Sequence, residues 1–429
     1  MLRKFLAAGT LGALVVWQAG SWYVERAAEM PTSPTTCGSY VDPRFRDALP
    51  MLRAQAASIM ATRRIPGMAV AVMLDGRTVY HEGFGLADLE HGVPACPDTR
   101  FRAASVSKLF TAAAMARLVE RRRLDLDAPI QRLVPEFPEK GATVTPRLLA
   151  SHRAGIRAYH DDREAINTTH YASVVASLRA FADDPLAAAP GSTFIYSNYG
   201  YVLLSAAIER AAGTDFLDAM HHEVFDPLGM SSTTADVARA TIARRTTTYD
   251  TETPFSPDGS LVRSPFNDLS AKWASGGFLS TVDDLTRFGD AHVRDVGFLR
   301  PETIALLMRP RSGAPPLVGY GLGWMTASDL HLRRVHFHFG ASSGATSMLA
   351  VYPGSRVVVA VMANLGHAKF PFAPLVNFAR PFQPFWSPDR VLLAMLCIAL
   401  AARRLTPRAA SAGRTVGRAS RRRDTRSCS

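Results

Sequence analysis

A chain of 429 residues that is 47% hydrophobic can bury a large core, in one domain or two lobes. Its net charge of +12 suggests nucleic acid until the charge is located: residues 403–429 hold nine Arg and one Asp, which leaves +4 for everything before them. The charge belongs to a tail, and no basic stripe with interleaved aromatics marks the body as a nucleic-acid binder.

Arg3 and Lys4 precede Phe5–Val24, an apolar run interrupted inside by Gln18. It reads as a signal peptide long enough to serve as a membrane anchor (residues 1–24), so the body is expected outside the cytoplasm. That means periplasmic or membrane-anchored, or the intermembrane space of an organelle. Residues 25–45, with Pro31, Pro34, Gly38 and Pro43, read as a linker. Asp47–Arg64 has helical periodicity. Met68–Met73 and Arg77–Gly83 read as strands joined at Asp75-Gly76, a strong hairpin signal. Ser105–Arg123 reads as an amphipathic helix, followed by helices at Arg147–Ala150, Tyr171–Ala182, Tyr199–Ala212 and Phe216–Val224. Strand patterns return at Gly319–Thr326, Arg333–His338, Ala345–Tyr352 and Arg356–Ala363. Strands at both chain ends with helices between them predict an α+β body over 46–385. It would hold one antiparallel sheet, flanking helices and an inserted helical lobe at about 105–250. Beyond it, residues 386–429 hold a short apolar segment (Val391–Ala402), too short to span a bilayer, and the Arg-rich tail. The basic tail and Phe5–Val24 are the candidate membrane contacts. Cys37 and Cys96 flank the first folded segment and are a disulfide candidate, two free thiols being the alternative; Cys397 and Cys428 lie in the extension. No Cys/His cluster has zinc spacing and no His-Glu-x-x-His occurs.

Ser105-Val106-Ser107-Lys108 carries the chemistry. A serine hydroxyl needs a base in reach, and a lysine three residues along a helix lies on the same face. Of 49 Lys and Arg only five are Lys (4, 108, 140, 272 and 369), so generic positive charge is written as Arg. Arg cannot be deprotonated in a protein, whereas a buried Lys can act as a base. Tyr196-Ser197-Asn198 follows Pro190-Gly191, and the two-residue spacing lets Tyr196 and Asn198 face one cleft. A lysine ammonium beside the phenol would lower its pKa and make Tyr196 a second candidate base. His338-Phe339-Gly340 ends a strand, with Gly340 permitting close approach of substrate. Gly340-Ala341-Ser342-Ser343-Gly344 matches the nucleophile elbow G-x-S-x-G, but that elbow needs a following helix and Ala345–Tyr352 reads as a strand.

Together these motifs resemble the serine β-lactamase/penicillin-binding-protein superfamily, in its class C β-lactamase-related branch. Leu148–Ile156 and Trp273–Thr281 with Asp284-Leu285 look like further segments of that family, and Asp125–Lys140 and Ser151–Tyr159 are similar to its mitochondrial serine β-lactamase-like members and their bacterial relatives. The resemblance implies a β-lactamase/transpeptidase-like fold and an acyl-enzyme on Ser105. Lys108 and Tyr196 would share the proton work, with either as base. Asn198 would orient Lys108 and substrate, and the backbone amides of Ser105 and Ala341 would form the oxyanion hole. No cofactor or metal is implied. His338 stands for the Lys of a Lys-Thr-Gly motif, and Phe339 stands where β-lactam binders have a hydroxyl in the pocket. Both departures imply weaker attraction for a carboxylate and favour a peptidase or esterase/amidase acting on a small-molecule or peptide substrate. The alternatives are a β-lactamase or D-Ala-D-Ala carboxypeptidase acting on cell-wall material, and a catalytically idle membrane-tethered scaffold.

Overall fold

Alternating apolar residues build the centre of the molecule as an antiparallel sheet, seen in a computed structural model that describes residues 34–251, 259–313, 318–329, 333–368 and 377–383. β1 (Thr36–Val41), β2 (Gly67–Leu74) and β3 (Arg77–Asp88) come from early in the chain. β4 (Met325–Ser328), β5 (Arg334–Ser342), β6 (Ala345–Tyr352) and β7 (Val357–Ala363) come from late in it. The strand order is β1-β3-β2-β7-β6-β5-β4, continued by the short strands Gly319–Tyr320 and Ser312–Gly313. β2 and β7 pair from Leu74 opposite Val357 to Met68 opposite Ala363, so the two ends of the fold meet in mid-sheet. The β2–β3 turn has Asp75 at φ 49° and Gly76 at φ 80°. Positive φ at both central residues is what a type I′ hairpin requires, and only Gly adopts it without strain.

Period-two burial sorts the side chains onto two faces. On β7, Val357, Val359 and Val361 face one core, with Met68, Val70 and Phe337. α1 (Leu49–Arg63) covers that face through Leu52, Ala56, Ile59 and Met60. Val358, Ala360 and Met362 face the other core, shared with α2 (Ser107–Glu120), α3 (Asn198–Ala212) and α5 (Val282–Asp290). A short helix, α4 (Trp273–Gly276), packs against α2 and α3.

Several expectations change. Residues 36–41 are not linker: they form β1 on β3, and Cys37 is joined to Cys96 by a disulfide with Cα atoms 4.9 Å apart. Pro and Gly hid a strand that pairs through its backbone. Tyr171–Ala182 is helical only over Val174–Ser177 and a 3₁₀ turn at Leu178–Ala180, because Ser173 caps the helix at its side chain. Gly319–Thr326 is two short strands separated by a turn at Gly323 (φ 86°), not one. β3 runs five residues beyond Gly83. Phe5–Val24, Val391–Ala402 and the basic tail lie outside the described residues. Among the described residues no helix is long and apolar enough to cross a membrane.

Candidate active site

Ser105 lies in a 3₁₀ turn, Ala104–Val106, that leads directly into α2. The turn is pinned from both sides: the Ala103 N–H donates to the Phe278 carbonyl (2.8 Å), and the Ser347 hydroxyl donates to the Ala103 carbonyl (2.5 Å). Ala104, at φ 44°, holds a left-handed conformation that a side chain disfavours, next to the serine it presents. β5 passes so close that a Cβ on Gly340 would lie 2.5 Å from the Ala103 carbonyl oxygen and 2.1 Å from Ser347 Oγ. Glycine is required there by space alone.

Lys108 is one turn further along and has no exposed surface. Its Nζ is 2.7 Å from Asn198 Oδ1, 2.7 Å from the Ser275 carbonyl oxygen and 3.1 Å from Ser105 Oγ. Burial lowers its pKa well below the usual lysine value, and the positive charge of Lys272 lowers it further. Ser197 caps α3, its Oγ accepting from the Gly200 N–H. With the cap filled by its neighbour, Asn198 is free to face Lys108. The Tyr196 ring lies 4.8 Å from Lys108 Nζ, and Ser105 is near enough to its phenol to oppose part of the pKa rise that burial causes. Burial raises the phenol pKa, so the expected lowering by a lysine ammonium does not occur. Solvent reaches part of the ring (the residue is 37% exposed), which softens that rise without reversing it.

His338 is buried behind these groups and held neutral by that burial, its pKa lowered to about 3. Its tautomer follows from a directed chain of hydrogen bonds. The Ser197 N–H donates to His152 Nδ1 (3.1 Å), leaving His152 Nε2–H to donate to the Tyr320 oxygen (3.1 Å). The Tyr320 O–H then donates to His338 Nε2 (3.2 Å), and His338 Nδ1–H donates to the Phe339 carbonyl (2.6 Å). Burial also lowers the His152 pKa well below its usual value. The His152 carbonyl accepts from the Ile195 N–H as well, so His152 holds the segment that carries Tyr196. Sequence reading missed His152 and Tyr320. His152 lies inside the Leu148–Ile156 segment already singled out, and being the titratable residue there was its signal.

The remaining expected residues divide. Ala341 lies on β5 past Phe337, where β4 ceases to pair, and it lines the cavity beside Ser105. Phe339 does not. Strand alternation turns it to the opposite face, where its ring packs 5.2 Å from Phe337 in the core that α1 covers. The reading of Phe339 as a pocket residue is therefore corrected. Ser342 closes β5 before the Ser343-Gly344 turn, and the strand β6 follows, so the elbow motif is a hairpin.

The cavity at Ser105 is about 230 Å³ and is lined by Tyr159, Asn198, Lys272, Ser275 and Ala341 among others. A larger depression of about 810 Å³ lies on a surface that does not include Ser105, and its Arg102 and Arg245 are already paired with Asp236. Among the described residues no cluster of His, Cys, Asp or Glu is placed to hold a metal ion.

A family model described as Beta-lactamase matches residues 52–376. The chain belongs to that family. It is a serine hydrolase of the β-lactamase and penicillin-binding-protein type, with the antiparallel sheet and flanking helices of that fold. The chain is 31% identical over 417 residues to the human mitochondrial serine beta-lactamase-like protein LACTB, covering 75% of each. An octameric penicillin-binding protein homologue from Pyrococcus abyssi superposes with a TM-score of 0.68 at 25% identity, covering 77% of each chain. D-amino acid amidase from Ochrobactrum anthropi, in complex with L-phenylalanine amide, superposes with a TM-score of 0.65 at 25% identity, covering 81% of this chain and 99% of that one.

Proposed function

We propose that the chain cleaves amide or ester bonds of peptides or small acyl compounds through an acyl-enzyme on Ser105, with Lys108 as the base. The burial of Lys108 with its Nζ 3.1 Å from Ser105 Oγ carries the reading. Two of its three partners are carbonyl oxygens, which only accept, and the third is the Ser105 hydroxyl. A neutral amine donates its two hydrogens to Asn198 and Ser275 and turns its lone pair on the Ser105 O–H. The lowered Lys108 pKa favours that form.

In this scheme the Ser105 proton passes to Lys108 Nζ as Oγ attacks the acyl carbon. The oxyanion that forms is met by the backbone N–H groups of Ser105 and Ala341. Tyr196 keeps its own proton at rest, and its hydroxyl passes the proton from Lys108 to the departing amine or alcohol. Water then attacks the acyl-enzyme as the same groups work in reverse, returning Ser105 and releasing the acid. An amidase and penicillin-binding proteins among the structural relatives support an acyl-transfer chemistry of this kind. A neutral His338 in place of a lysine favours peptidase or esterase/amidase substrates over cell-wall β-lactams. The apolar run Phe5–Val24 and the relatives named as mitochondrial or penicillin-binding support an exported or organellar location.

A fluorophosphonate probe followed by peptide mass spectrometry tests this. Wild type is expected to label on Ser105, and Ser105→Ala to remain unlabelled. No adduct in wild type, or an adduct that survives in Ser105→Ala, overturns the proposal.

A further inference from the structure

Lysine is rare in this chain, yet a second one lines the same cavity. Lys272 ends the 3₁₀ turn Leu269–Lys272 that leads into α4, whose Ser275 carbonyl holds Lys108. It is partly buried. Its Nζ donates to the Ala165 carbonyl and sits 5.7 Å from the centre of the Tyr159 ring. That uses one of three N–H groups. Among the described residues no carboxylate lies within ion-pair distance of it. The one carboxylate that lines the cavity, Asp250, is buried and engaged: its oxygens accept from the Ser343 hydroxyl (2.9 Å) and the Gly344 N–H (3.2 Å). A cation partly removed from water and without a counter-ion costs stability, and a ligand can supply the compensation. Burial and Arg102 lower the Lys272 pKa to about 8, which leaves it protonated at pH 7.

His338, the residue in the position where β-lactam binders carry a cation, is neutral. The positive charge of the cavity is carried instead by Lys272, which lines it together with Tyr159 and Ala165. We propose that Lys272 receives an anionic group of the substrate, so that the acyl compound cleaved at Ser105 carries a carboxylate directed toward the Tyr159–Ala165 wall. The inference deepens the Ser105 acyl-enzyme reading and rests on it. It also revises the expectation of a less acidic acyl group: weak attraction holds at His338 and not for the cavity as a whole.

Two esters differing in one distal charge provide the test: mono-p-nitrophenyl glutarate, with a free carboxylate, and its methyl ester. The readout is the ratio of their kcat/KM values for the full-length protein. Wild type is expected to favour the carboxylate about tenfold or more. Lys272→Met should reduce the ratio to near one, mainly by raising KM for the charged ester, and Lys272→Arg should restore at least part of it. Lys272→Gln, which keeps a donor for the Ala165 carbonyl, serves as a second neutral variant should the Met variant not fold. A ratio unchanged in the neutral variants, or no preference in wild type, overturns the inference. Fluorophosphonate labelling of Ser105 in the same preparations separates the two levels. Labelled protein with an unchanged ratio removes the role of Lys272 alone, whereas absence of any Ser105 adduct removes the acyl-enzyme reading and this inference with it.

Discussion

An ammonium has three hydrogens to place and an amine has two. The three oxygens around Lys108 Nζ could take all three from an ammonium, but burial favours the amine, which donates to the two carbonyl oxygens and accepts from the Ser105 hydroxyl. Lys108→Arg should reduce fluorophosphonate labelling by at least about a hundredfold despite keeping the charge, because a guanidinium has no lone pair to offer and stays protonated. Labelling within threefold of wild type would remove Lys108 from proton transfer. Asn198→Asp is a finer probe, since it places a carboxylate where an amide oxygen now sits 2.7 Å from Nζ. An adjacent anion favours the charged lysine, so the acid limb of kcat/KM for a neutral ester should move up by about one pH unit or more. An unmoved limb would mean that another group sets it. The lysine count made Lys108 legible before any coordinates. The direction of the Tyr196 shift was not legible, because it depends on how much protein encloses the phenol, which no local spacing records.

Strand periodicity explains both what could be read at the level of elements and what was misread. β2 and β7 are apolar throughout and β6 is so from Met348 on, and their length and turn residues announce them. The same period of two that makes β5 recognisable sends His338 and Phe339 to opposite faces, and reading the pair as one pocket motif overlooked it. Phe339→Thr should therefore lower stability by about 1–3 kcal/mol through lost packing against Phe337, as measured by denaturant midpoint, and leave β-lactam affinity unaltered. Tighter β-lactam binding by this variant would return Phe339 to the cleft. The chain from Ser197 through His152 and Tyr320 to His338 could not be read from sequence at all. Its four members come from four separate places in the chain that meet only when the helical lobe closes on the sheet.

Two properties belong to the molecule as a whole. The disulfide Cys37–Cys96 closes a sequence separation of 59 residues and fastens β1 to the body. Cys96→Ser should lower the unfolding free energy by about 4 kcal/mol in the chain-entropy model, measured under non-reducing conditions against wild type. A loss below about 1 kcal/mol would mean that β1 is held by its backbone pairing instead. Buried histidines set the acid response. His338 and His292 have pKa values lowered to about 3 and about 4, against 6.5 when unfolded. Below pH 6.5 the unfolded chain binds protons that the folded one refuses, so stability is full above that pH and falls as pH drops toward 4 and 3. Each group should remove about 2 kcal/mol between pH 7 and pH 5. His292→Leu should flatten part of that slope in denaturant titrations, and an unchanged slope would exclude His292 as a contributor.

The junction of β2 with β7 has a consequence during synthesis. A ribosome makes β2 early, yet its neighbour Val357–Ala363 emerges only after most of the polypeptide, and the residues that clamp the serine turn, Gly340 and Ser347, come scarcely sooner. Pairings so distant along a chain close slowly and late. A growing polypeptide thus carries its nucleophile without the scaffold that aims it, and hydrolytic power switches on only in molecules translated past Val357–Ala363.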